Sequence, residues 1–136
     1  MKIDGRCHCG NITFEAEADP DKVTICHCTD CQNLTGSAFR VSVYVPAEHF
    51  ALTGGPLKSY IRSPENKPKR RLAFCGDCGT PIYGCQADNP QFYGLRLGTI
   101  TQREALPPKR QNWRRSALSW VDEVGALPRN ETNPES

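Results

Sequence analysis

Apolar and polar positions alternate with a period of two in two stretches of the chain, and with the β-rich segments around them this predicts strands far more often than helices. In N-I-T-F-E-A-E-A, Ile12, Phe14, Ala16 and Ala18 fall on one face and Thr13, Glu15 and Glu17 on the other. Lys22 to Cys26 reads as a short strand. A-F-R-V-S-V-Y-V places Phe39, Val41, Val43 and Val45 on one side before Pro46 ends it. After the turn T-G-G-P at 53–56, further strands are predicted in L-K-S-Y-I-R-S, R-L-A-F, P-I-Y-G-C and Q-F-Y-G-L-R-L-G. One helix is expected late: Ser119 can cap it, and Trp120, Val121 and Val124 supply an apolar side before Gly125. The expectation is a single small, mainly β, antiparallel domain over 1–127. A polar tail, 128–136, is expected to be disordered.

Composition supports the strand reading. Among 136 residues there are 11 Gly and 11 Pro, a turn-rich balance. No apolar run approaches the roughly 20 residues that span a bilayer, and M-K-I-D-G-R-C has no signal-peptide character. The chain is therefore expected to be cytoplasmic and to have no membrane partner. Its formal charge is only +2. The basic groups at Lys67, Lys69, Arg70 and Arg71 and at Lys109, Arg110, Arg114 and Arg115, with Trp113 nearby, fit solvated loops better than a nucleic-acid surface.

The 8 cysteines change the picture. Disulfides suit exported chains, whereas clustered cysteines in a reducing compartment suit metal. Cys7 and Cys9 form C-x-C. Held extended, such a pair puts both sulfurs on one face and turns His8 away. Cys75 and Cys78 form C-x-x-C, with a glycine following each pair at Gly10 and Gly79. Together these four complete a tetrahedral Cys₄ set, the closed arrangement of structural zinc. Cys26, Cys28 and Cys31 supply three ligands more. Spacing alone leaves their site either open, as in catalytic zinc, or closed by Cys85 or a histidine, and an iron–sulfur cluster is a weaker alternative.

G-R-C-H-C-G-N-I-T-F, C-H-C-T-D-C-Q-N-L-T-G-S-A-F and F-C-G-D-C-G-T resemble, in order and spacing, the glutathione-dependent formaldehyde-activating enzyme family, the CENP-V/GFA domain. The likeness runs from about Gly5 to Trp120. It implies a tent-like β fold with two zinc ions: a structural one on Cys7, Cys9, Cys75 and Cys78, and a catalytic or labile one on Cys26, Cys28 and Cys31. It also implies a carbon–sulfur lyase that joins a thiol such as glutathione to formaldehyde or a related aldehyde. Gln111 stands near the place where family members often carry histidine, and Cys85 is extra to the pattern.

Other candidates weigh less. Thr35, Gly36 and Ser37 could present an anion nest, although a plain turn explains them better. His27 is expected at the surface or behind the metal ligands. Asp30 and His49 are expected on solvated turns. The alternative to an enzyme is a zinc-stapled binding module without catalysis.

Overall fold

The computed structural model describes residues 1–134; residues 135 and 136, the end of the expected polar tail, lie outside the described residues. Strands dominate, as the alternation predicts. A three-stranded antiparallel sheet has the order β1-β2-β5, with β1 Lys2–Arg6, β2 Ile12–Glu17 and β5 Phe50–Gly54. A seven-stranded sheet follows the order β10-β3-β4-β9-β8-β7-β6. Its strands are β3 Val23–Cys26, β4 Arg40–Pro46, β6 Leu57–Arg62, β7 Arg70–Cys75, β8 Pro81–Gln86, β9 Phe92–Arg96 and β10 Arg110–Asn112. All neighbours in it run antiparallel except β10, which lies parallel to β3.

The core lies between the two sheets. Ile12, Phe14, Ala16 and Ala18 are buried, on the face that their alternation assigns, and they meet Val43, Val45 and Leu95 in one cluster. Phe50 of β5 packs at a tilt against Phe14 and Tyr93 and edge-on against Tyr83, so an aromatic group joins the small sheet to the large one. Such ring pairs contribute about 0.5–1.5 kcal/mol beyond the area they bury.

Two helical segments depart from expectation. The late helix is present as a 3-10 helix, Val121–Ala126, with no side-chain cap; Trp120 and Val124 are exposed, so the apolar side has no core to face. An α-helix that the periodicity does not predict, α1 Thr29–Thr35, follows β3 directly. It buries none of its residues, so no apolar stripe marks it in the sequence.

The N-terminal strand is tied to a later turn through Asp4. The backbone N–H of Asp4 donates to Gln102 Oε1, while its carboxylate accepts from Thr101 Oγ1 and Gln102 Nε2. The Gln102 and Thr101 bonds hold the Asp4 carboxyl below its ordinary range. A group depressed in this way stabilises the fold above its unfolded pKa, and the contribution is lost as pH falls through the folded value. Asp4→Asn should therefore lose a little stability at neutral pH and show a shallower acid decline in thermal melts between about pH 6 and pH 2.

Candidate metal centres

The two turns that carry the first four cysteines come from different sheets. Cys7 and Cys9 lie in the β1–β2 connection, where Gly10 turns the chain at φ 84 and the N–H of Gly10 donates to the Cys7 carbonyl. The C-x-C is thus folded into a turn rather than extended, and the turn brings its sulfurs to 3.6 Å. Cys75 ends β7, and the tight β7–β8 turn closes with Gly79 N–H donating to the Cys75 carbonyl. Gly79 has φ 79, a conformation that glycine adopts without strain.

Across the two turns, Cys9 Sγ lies 3.8 Å from Cys75 Sγ, and one ligand atom from each of Cys7, Cys9, Cys75 and Cys78 falls within 4.8 Å of all the others. A tetrahedral cage with Zn–S near 2.3 Å separates sulfurs by about 3.8 Å, so the donor set fits zinc. Cys7 and Cys75 are buried, whereas Cys9 and Cys78 are exposed. The Thr80 hydroxyl beside Cys78 holds that thiol down to about 5, so it is ready to bind as thiolate. His8 N–H donates to Thr80 Oγ1 and Asn11 Nδ2 to Asp77 Oδ2, clamping the turns on either side of the sulfurs. His8 itself is exposed.

The second cluster is built at the junction of β3 and α1. Cys26 is the last residue of β3, Cys28 is the N-cap of α1, and Cys31 lies in its first turn. The Cys31 N–H donates to Cys28 Sγ at 3.3 Å, so the sulfur takes the part usually played by a serine or aspartate oxygen. The three sulfurs also lie within 4.8 Å of one another, all half-buried. Burial first, then the neighbouring Cys28 sulfur, pushes the Cys31 thiol up to about 12. Three thiolates this close repel one another, so full ionisation calls for a cation among them.

Cys85 does not complete this set. Strand register fixes which side of the sheet each side chain takes. Cys26 pairs with Arg40, Tyr44 with Gly94 and Gly94 with Gly84, which puts Cys26 and Gly84 on one face. Cys85 is one residue further on and points to the other face. There it is 1% exposed in the core, and burial raises its thiol. Among the described residues no histidine or carboxylate joins the three sulfurs either.

His27 also turns away from the sulfurs, but it is not a surface residue: it is 1% exposed. Its Nε2 lies 2.8 Å from Gln111 Oε1 and its ring meets Phe39 edge-on. Gln111 Oε1 also accepts from Arg114, so His27 Nε2 acts as the donor. Gln32 of α1 holds the junction together by donating to the carbonyls of both His27 and Ser116. Thr35, Gly36 and Ser37 form the C-terminal cap of α1. Gly36 N–H donates to Asn33 and Ser37 N–H to Gln32, so these donors are committed within the helix and form no anion nest. Asp30 is ion-paired to Arg62, and His49 lies exposed in a short 3-10 turn after Pro46.

A cavity of about 560 Å³ opens on Cys28, with Arg62, Lys67, Arg70 and Trp113 around it; Asp30, paired to Arg62, and Glu65 also line it. Trp113 adopts φ 60, a left-handed conformation rare for a bulky side chain. Lys67 and Arg115 lie over its ring, as cations do on an aromatic face. Strand alternation gives no hint of this wall, because Trp113 and Lys67 come from loops that only the folded sheet brings together.

The fold and its sites define a mainly β protein with two separate cysteine clusters suited to metal. The model of the glutathione-dependent formaldehyde-activating enzyme family matches residues 2–116, and the chain belongs to that family. In fold it is similar to a Rhodobacter sphaeroides protein of known crystal structure, with a TM-score of 0.62 and 19% identity over 80% of this chain and 99% of that one. No helix among the described residues is long and apolar enough to cross a membrane.

Proposed function

We propose that the protein is a zinc-dependent carbon–sulfur lyase that adds a thiol such as glutathione to formaldehyde or a related small aldehyde, and catalyses the reverse cleavage. In this reading Cys7, Cys9, Cys75 and Cys78 hold a structural zinc, and Cys26, Cys28 and Cys31 hold a catalytic one. The observation that carries the proposal is the three-sulfur cluster itself: it has no fourth protein ligand among the described residues and borders a cavity. A binding module has no need of an incomplete ligand set.

When bound, zinc would supply the charge that lowers the pKa of a thiol in the fourth position, making it a nucleophile at neutral pH. The chain's own residues position the reactants. Gln32 and the Cys28 cap fix the β3–α1 junction, so the three sulfurs keep one arrangement. Lys67 and Arg70 offer cations to the two carboxylates of glutathione, and Trp113 gives the cavity a rigid wall.

Metal counting on purified protein tests this reading. Two zincs per chain are expected, one exchanging readily with a chelator and slowed or retuned by glutathione. Two inert zincs that ignore thiols would rule out an open site.

A further inference from the structure

A second cavity, of about 630 Å³, is bordered by Cys7 and Thr80 of the first cysteine cluster and by Thr35 of α1, and four arginines line it: Arg6, Arg40, Arg96 and Arg103. No aspartate or glutamate is among its lining residues. Two of the arginines belong to the sheet. Arg40 opens β4 and Arg96 ends β9, and the register puts both on the same face as Cys26. That face would be solvated in a simple two-sheet sandwich, yet Arg40 is only 9% exposed.

Neither guanidinium is paired with a carboxylate; the opposite charge that reaches them is the Cys31 sulfur, which acts on both without hydrogen-bonding to either. Arg40 makes no hydrogen bond or ion pair with the described residues, and its Nε is buried without a partner. Arg96 donates from Nη1 to the Ser42 hydroxyl, a neutral acceptor, and its Nε too is unpartnered. Burial, and then the like charge of Arg40, bring the Arg96 guanidinium down to about 9. Buried charges are ordinarily paired, because desolvation without a counter-charge is strongly unfavourable. The fold also makes room for this arrangement. Gly84 lies beneath Arg96, where a Cβ would come within 2.5 Å of Nη2.

We infer that this cavity is an oxyanion site, in which Arg40 and Arg96 together grip a carboxylate or phosphate group of a small molecule. Two planar forks that converge without a carboxylate match the bidentate recognition of such groups. Arg6 and Arg103, both exposed, extend the positive field to the mouth and draw the anion in. The cavity is distinct from the one at Cys28, to which the thiol–aldehyde reaction is assigned, although Arg40 pairs with Cys26 in the sheet and both arginines feel the Cys31 sulfur.

Calorimetric titration of the zinc-loaded full chain tests the inference, with inorganic phosphate and succinate as separate probes and no aldehyde present. At least one should bind saturably at one per chain; tighter phosphate binding assigns a phosphate-bearing ligand, tighter succinate binding a carboxylate. Arg40→Gln and Arg96→Gln should each weaken binding by about 10- to 100-fold, the range for a charge-assisted hydrogen bond. Both should keep two zincs. Each should also melt no lower than the parent without anion, since one of two like buried charges is gone. Gly84→Ala should displace the flexible Arg96 tip and weaken binding similarly, and with Arg40→Gln it carries the test if Arg96→Gln fails to fold. The inference is overturned if neither probe saturates, if the variants bind like the parent, or if they lose zinc and stability together. In that last case the arginines merely balance the thiolates.

Discussion

Cys78→Ala should unfold at temperatures where the parent protein is still fully native. Cys78 is exposed, so its truncation opens no core cavity and the effect isolates the loss of one metal ligand. The four sulfurs connect the β1–β2 turn to the β7–β8 turn, and so the small sheet to the large one. Without the ion, the Thr80 and Asp77 hydrogen bonds, weak contacts between the sulfurs and the sheet interface are left to span that junction. A cross-link closing a loop of roughly 70 residues stabilises by about 4 kcal/mol in the chain-entropy account, and bound zinc acts on folding in the same direction. For a domain of this size that corresponds to a fall in melting temperature on the order of 10–15 °C. Scanning calorimetry with zinc counted in parallel should show one ion fewer and this lower transition. A variant melting within a couple of degrees of the parent would remove the structural role from this site.

Much of this arrangement can be read in the sequence because its determinants are local. Two-residue alternation marks β2 and β4, whereas β-rich composition between turn residues marks β6 to β9. The cysteine pairs announce themselves because both ligands of a turn lie within four residues. What the sequence hides depends on pairing between distant strands. The exclusion of Cys85 follows from a register that runs from β3 through β4 and β9 to β8, and no local pattern encodes it. Helix α1 has no buried face, and β10 is three exposed residues, so neither carries a periodic signal. Arg40 sits among alternating valines as an ordinary outward residue. Alternation separates the faces of a strand but does not reveal that the outer face is covered as well.

Cys28→Ser should have the opposite profile to Cys78→Ala: a retained fold with the second zinc and its chemistry gone. Serine oxygen can still accept the Cys31 N–H and cap α1, so the local backbone keeps its partner. The helix buries none of its residues, so even partial fraying would remove little core contact. The stability loss should stay at about 1 kcal/mol or less, a shift of a few degrees. A hydroxyl is a poor zinc ligand beside thiolates, and two sulfurs alone do not make the three-ligand set of a catalytic zinc. Zinc analysis should therefore give one ion per chain, and it should be the tightly held one. Adduct formation from glutathione and formaldehyde should fall to the spontaneous rate, a drop of at least about 100-fold in the enzyme-dependent part if the site supplies the activated thiol. Because the spontaneous reaction is never absent, the measurement must be the rate above buffer at matched thiol and aldehyde. The pair of variants then separates two roles within one chain. If Cys28→Ser keeps both zincs and the parent rate, the open position is not where the thiol reacts. If it collapses like Cys78→Ala, both clusters are staples and the division between a structural and a catalytic centre is lost.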